Sequence, residues 1–278
     1  MTQNQLAPSL SESEYAAAFA AYRTKTNQAE LMLEWLQKHA EFIVNEKEEL
    51  SVLSVGTGYG EFDLAAIPIL QKLAPRLHYT AIDPNNGMLE HFKTDFVARR
   101  IQNVELNVQN CSFEEFVRQE PKQYDLIHFT HCLYFISDRA SAIKKSLELL
   151  KPNGLILIFN SMTAGSQDLR IRFTKKATGK LSLVFSAEQL KELLEHENIK
   201  HLFDVINSVT DVTECFTSRP TGRLLLNFFL LCNSDNISKS LRSEVLDYIK
   251  RIAFAEGSRF LMLHPVGVFC ISAQKSPV

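Results

Sequence analysis

The chain has 278 residues, of which 30 are basic and 32 acidic, with 45% hydrophobic residues and a formal charge of −2. This composition suits a globular protein with a large core, and the near-balanced charge argues against a general nucleic-acid binder. The five cysteines, Cys111, Cys132, Cys215, Cys232 and Cys270, are scattered with no C-x-x-C pair; that argues against a zinc site or a disulfide framework and points to a reducing compartment.

In chain order, the opening MTQNQLAPSLSESEY has no basic region followed by an apolar one, so no signal peptide is expected, and no apolar run is long enough to span a bilayer. Residues 1–12 are expected to form a flexible arm. Ser11 or Ser13 can cap a helix with Glu14 in its first turn. Tyr15, Phe19 and Tyr22 recur at i, i+4 and i+7, one helical face. That stripe either packs on the main domain or belongs to a lid offering aromatic faces to a substrate. Glu30 to His39 reads as a second amphipathic helix.

Leu50 to Phe62, LSVLSVGTGYGEF, is the most informative stretch. The apolar run Val52, Leu53, Val55 reads as a buried strand. Gly56-Thr57-Gly58-Tyr59-Gly60 turns the chain and lets backbone approach a ligand, and helical periodicity follows. The spacing G-x-G-x-G is neither the dinucleotide fingerprint nor a phosphate loop. Leu77 to Ile82 is a second strand ending in Asp83-Pro84-Asn85. An acid at that tip is placed to accept ribose hydroxyls, or to cap the helix expected over 87–99. Val104 to Val108 is strand three; beyond it Ser112 either faces an adenine or caps a helix at Phe113. Tyr124 to Phe129 is strand four, followed by Thr130-His131-Cys132-Leu133-Tyr134-Phe135. His131 is the one tip residue of a type whose intrinsic pKa is near neutral, which makes it the candidate base here; the alternative is a hydrogen-bonding histidine. A helix over 140–150 leads through a turn at Pro152-Asn153-Gly154 into strand five, Leu155 to Phe159. Ser186 caps a helix, His201 to Ile206 and Gly267 to Ile271 form a late antiparallel pair, and 213–255 is a helical insertion.

The G-x-G-x-G turn, the acid Asp83 and the phrase LLKPNGLILI resemble the class I S-adenosylmethionine (SAM) methyltransferases. Several further stretches resemble the vertebrate histamine N-methyltransferase family: Ser51 to Gly56, Thr210 to Phe216, Leu224 to Phe229, and Leu133 to Phe135. The resemblance implies an α/β, Rossmann-like class I methyltransferase sheet, mostly parallel with a late antiparallel strand, plus helical substrate-binding additions. It divides the chain into lid helices over 1–46 and a core over 47–278 carrying the insertion. It implies SAM as donor, S-adenosylhomocysteine (SAH) as product, no metal, and a cytoplasmic monomer acting on a small molecule, without nucleic-acid or membrane partners.

By resemblance the donor site is Gly56, Thr57, Gly58, Gly60, Asp83, Pro84, Met88, Ser112 and Thr130, with His131 the catalytic candidate. Asp83 stands where the family has glutamate and Met88 where it has glutamine. The substrate site is Tyr15, Phe19, Gln28, Tyr134, Phe135, Phe185 and His264. Gln28 aligns with the family's histamine-binding glutamate, and His264 with a substrate-binding asparagine. A neutral amide cannot neutralise an ammonium. The expectation is therefore N-methylation of a planar aromatic or heteroaromatic acceptor, neutral or weakly cationic, with histamine a poor substrate. The alternatives are O- or carboxyl-methylation of a small metabolite, or SAM binding without catalysis.

Overall fold

The structure is a computed structural model, and it describes residues 6–43, 47–119, 122–182 and 184–272. The first five residues of the expected N-terminal arm, and the expected division after residue 46, fall on segments outside the described residues. Among the described residues the strands are β1 (Glu49–Val55), β2 (Arg76–Ile82), β3 (Val104–Gln109), β4 (Tyr124–Thr130), β5 (Leu150–Ser161), β6 (Leu202–Ile206), β7 (Val209–Asp211), β8 (Ala253–Glu256), β9 (Arg259–Leu263) and β10 (Val266–Ser272).

Seven of them form one sheet in the order β3-β2-β1-β4-β5-β10-β6. The sheet is mostly parallel, with the expected late antiparallel strand. Helices Glu61–Leu70, Asn86–Ala98, Phe113–Val117 and Arg139–Glu148 make the crossovers, as parallel pairing requires. β4 is buried from Tyr124 to Phe129, so its two polar members, Asp125 and His128, must find partners inside the protein. In register, Val55 pairs with Ile82 and Phe129, and Ile82 with Gln109. The loops after β1 to β4 therefore open at one level. Chain order reverses between β1 and β4, the switch point where open α/β sheets bind ligands.

Asp125 ties the opposite end of the sheet. Its carboxylate accepts from the Ser51 amide (2.9 Å) and hydroxyl (2.8 Å), and pairs with Lys47 (2.5 Å) and Lys151 (2.9 Å). Burial would raise its pKa, but hydrogen bonds from Lys151, Lys47 and Ser51 outweigh that and hold it far below the ordinary value.

The chain divides into two compact units. The sheet unit comprises Glu30–Asn160, Ala187–Val205 and Gly267–Val278; the helical unit comprises Met1–Ala29, Ser161–Ser186 and Ile206–Val266. The latter holds helices Glu12–Arg23, Pro220–Leu230 and Lys239–Ile252, and a three-stranded antiparallel sheet β7-β9-β8. Its core includes Leu169, Phe173, Leu225, Phe229, Val245 and Ile249.

The two units part between Ala29 and Glu30, so most of helix Gln28–Ile43 is grouped with the sheet. Two features depart from the sequence reading. Pro152-Asn153-Gly154 is not a turn before a strand but part of β5, which begins at Leu150. Asn153 takes φ 68° there and the β4–β5 register shifts, so these residues make an irregularity that the strand absorbs. The expected helical insertion contains the two helices but ends in β8, whose four residues are too short to show a period.

Candidate active site

The three glycines after β1 all have positive φ: 69° at Gly56, 57° at Gly58 and 69° at Gly60. They are glycines for different steric reasons. A Cβ on Gly56 would sit 2.5 Å from Cys132 Cβ, and one on Gly60 would sit 2.0 Å from the Phe92 ring. A Cβ on Gly58 would meet only Met88 Sδ, at 3.9 Å. Gly56 and Gly60 are thus fixed by packing, whereas the space before Gly58 is open. Thr57 turns its hydroxyl back to Ser54 Oγ at 2.9 Å.

Across this loop stands Asp83. Its Oδ2 accepts the Gly58 amide at 2.9 Å and its Oδ1 accepts the Asn85 amide at 2.8 Å. A carboxylate oxygen has two lone pairs, so both retain capacity for further donors. The helix that follows is not capped by Asp83: Asn85 is its N-cap and accepts the Met88 amide at 3.0 Å. Pro84 fills the step between them. Asn110, which the sequence did not single out, donates to the Asp83 carbonyl at 3.0 Å. Ser112 caps helix Phe113–Val117 in a reciprocal box with Glu115, the second of its two expected roles.

Thr130 and His131 close β4. Thr130 Oγ1 lies 3.3 Å from His128 Nδ1, His128 Nε2 lies 2.9 Å from the Tyr79 hydroxyl, and Tyr79 donates to Asp63 at 2.7 Å. Because that phenol proton goes to Asp63, a neutral His128 carries its proton on Nε2 and accepts from Thr130 on Nδ1. Burial would raise the Asp63 pKa, but hydrogen bonds from His128, Ser54 and Tyr79 hold it below the usual carboxylate range. This buried chain escaped the sequence reading. Asp63 looked like an ordinary first-turn acid, and its partners come from β2 and β4.

His131 adopts φ 53°, a left-handed conformation uncommon outside glycine and found disproportionately at functional sites. Its amide donates to the Phe159 carbonyl at 2.9 Å. Arg139 holds the next turn by donating to the carbonyls of Leu133 (3.1 Å) and Tyr134 (3.3 Å). The Tyr134 and Phe135 rings lie 4.5 Å apart, and Phe135 is 71% exposed.

The remaining candidates lie in the helical unit. Tyr15 stacks on Phe19 at 6.1 Å, and Phe228 lies 5.8 Å from Phe19 and 4.3 Å from Tyr22. The Tyr22 hydroxyl lies 2.6 Å from His264 Nδ1, and His264 Nε2 lies 2.9 Å from Ser166 Oγ. Burial pushes the Tyr22 phenol up to about 12. Gln28 donates its amide to the His264 carbonyl at 3.3 Å, which Ser208 also meets. Phe185 is buried. Tyr15, Phe19, Gln28 and His264 are thereby linked through Tyr22, a residue the resemblance had not placed in the site. Among the described residues no group of three or more His, Cys, Asp or Glu side chains is gathered as for a metal ion, and no helix is long and apolar enough to cross a membrane.

The methyltransferase domain family matches residues 22–217. Histamine N-methyltransferase of Danio rerio is 24% identical over 278 residues, covering 90% of this chain and 95% of its own length. Histamine N-methyltransferase A of Xenopus laevis is 26% identical over 255 residues, with 86% and 87% covered. Among solved structures, a putative methyltransferase from Bacillus halodurans superposes with TM-score 0.55 at 15% identity, covering 86% of this chain and 99% of that one. The plantazolicin methyltransferase BpumL in complex with SAH superposes with TM-score 0.52 at 12% identity, with 94% and 88% covered. These two show likeness of fold.

Proposed function

The chain belongs to the methyltransferase domain family, and from that premise we propose that it transfers a methyl group from SAM to a nitrogen of a small aromatic or heteroaromatic compound. The observation that carries the donor assignment is the open face of Gly58 opposite Asp83. A backbone amide without a side chain and a carboxylate with spare lone pairs suit a nucleoside with two ribose hydroxyls. Gly56, Thr57, Gly60, Pro84 and Met88 shape the same cradle, and Thr130 and Ser112 line its later loops. SAM supplies, when bound, an electrophilic methyl group on a sulfonium.

Methyl transfer needs placement and exclusion of water more than acid–base help. We assign His131 to the acceptor end, held in its strained conformation at the strand tip, where it takes a proton only if the acceptor must lose one. The aromatic cluster of Tyr15, Phe19 and Tyr22 offers ring faces to a planar acceptor. Phe185 and His264 are the other acceptor-binding residues that the family resemblance implies in the same unit, and Tyr134 and Phe135 those that it implies in the sheet unit. The relatives are named as histamine N-methyltransferases, which supports nitrogen as the accepting atom. Gln28, whose amide is directed to a backbone carbonyl, leaves no carboxylate there for an ammonium, so histamine is a poor acceptor in this reading. A cytoplasmic location accords with the scattered cysteines, and a monomer is what the family resemblance implies.

The test is a screen with methyl-labelled SAM against imidazoles, biogenic amines, phenols and aromatic acids, alongside calorimetry with SAH. Transfer to ring or amine nitrogen, rising with pH toward the acceptor's pKa, is expected. SAM binding that survives Asp83→Ala unchanged, or transfer only to oxygen, refutes the reading.

A further inference from the structure

Arg170 is buried to more than nine-tenths, with 9% of its surface exposed. It opens a π-helical segment, Arg170–Thr174, between the short helices Ser166–Leu169 and Lys175–Thr178. Such segments are rare and concentrate at functional sites. One of its terminal nitrogens donates to the Phe228 carbonyl at 3.2 Å, and the guanidinium lies 4.7 Å from the Phe228 ring centre. Its buried Nε has no hydrogen-bond partner among the described residues.

No carboxylate among the described residues pairs with it. The nearest acid in sequence, Asp168, is taken by Arg172 at 2.7 Å and by the Tyr248 hydroxyl. The Arg170 charge instead bears on the phenols of Tyr15 and Tyr22, where it opposes the rise that burial causes. One turn to either side, the buried Gln167 Oε1 and Thr174 Oγ1 also lack partners. The helix end at Phe228 supplies a carbonyl and a partial negative charge, and the ring supplies a cation–π contact. These leave most of the five guanidinium donors unused. A buried cation in that condition is costly unless an anion arrives.

We propose that Arg170 receives a carboxylate of the methyl acceptor, making the substrate an aromatic or heteroaromatic acid. The inference rests on the small-molecule methyltransferase reading and changes its expected acceptor charge from neutral or cationic to anionic. A planar carboxylate matches the guanidinium fork through Nε and a terminal nitrogen. Its ring then has the half-buried Tyr15 and Phe19 rings to stack on, and Phe19 lies 5.8 Å from the Phe228 ring that carries the guanidinium.

The experiment is calorimetry on the SAH-saturated enzyme with two matched series. One is imidazole-4-acetate, imidazole-4-acetamide and histamine; the other is indole-3-acetate, indole-3-acetamide and tryptamine. In at least one series the acid binds at least ~10-fold tighter than the amide, and the amine binds weakest. Arg170→Met removes the acid's advantage with SAH affinity unchanged, and Arg170→Lys, which keeps charge but not the fork, retains part of it. If the methionine variant does not fold, the wild-type order and the lysine variant decide. Equal binding of acid and amide, an advantage that survives Arg170→Met, or no binding by either acid refutes the proposal and leaves Arg170 a cap for the Phe228 carbonyl. An acid that binds through Arg170 but receives no methyl on nitrogen refutes N-methylation and not this inference. Transfer to neutral rings with no preference for acids does the reverse.

Discussion

Gly58→Ala separates binding from stability. The new Cβ meets only Met88 Sδ at 3.9 Å, so no clash opposes folding. The backbone cost remains, because φ is 57° and a left-handed non-glycine residue costs about 1–2 kcal/mol. Restriction of the unfolded chain returns about 0.4–1 kcal/mol of that. The net loss is about 1 kcal/mol, or roughly 2–4 °C in Tm for a chain near this size. The same methyl group stands where the backbone must approach the donor. Displacing a close-packed ligand by one methyl costs at least about 2 kcal/mol, which is close to 30-fold in Kd. Gly60→Ala is the contrast, since its Cβ would enter the Phe92 ring at 2.0 Å and Tm should collapse along with binding. The assays are thermal denaturation and calorimetry with SAH. Wild-type SAH affinity in Gly58→Ala would show that this amide does not face the donor.

Three further outcomes follow from the same geometry. His131→Ala should slow turnover by less than about tenfold with SAH binding unchanged; a loss of several orders of magnitude, measured by labelled transfer, would make His131 an obligatory base. Gln28→Glu should lower Tm and fail to create a histamine site, because a carboxylate oxygen would replace the amide that donates to the His264 carbonyl, costing about 1–3 kcal/mol; efficient histamine methylation by this variant would contradict it. Asp125 has a depressed folded pKa, so its stabilisation is complete above the unfolded value near 3.9 and is lost as pH falls below that. Asp125→Asn should therefore destabilise at pH 7 by about 1.5–3 kcal/mol and flatten the acid limb of the stability curve; parallel curves for variant and wild type would refute the role.

The parallel sheet was readable because β1, β4 and the Leu155–Phe159 part of β5 are mostly apolar while β3 alternates apolar with polar residues, patterns that report burial on two faces and on one. Asp83 was readable because its position follows from the strand alone. What the sequence hid depends on distance or on small scale. Asp63, Tyr79 and His128 meet only after three elements have packed, and each looks ordinary in its own segment. β7 and β8 are three and four residues long, shorter than the window a period needs. Pro152 and Gly154 signal a bend, yet β5 accommodates it without ending. Arg170 sits in a stretch with no strong period, since a π-helical segment breaks the spacing on which helical reading depends.

The helical unit also has an awkward birth. It is assembled from three separate stretches of chain, and its Tyr22–His264 hydrogen bond joins residues 242 apart. At about 5–20 residues per second of synthesis, the first helix waits roughly 12–50 s for that partner to be made. During the wait its aromatic face, Tyr15, Phe19 and Tyr22, has nothing native to cover it. The sheet unit can pair β1 to β5 in the meantime, but it too waits for β10. Completion of both units is deferred until β9 and β10 have been made, and the nascent chain is most exposed to misassembly and chaperone capture before they emerge.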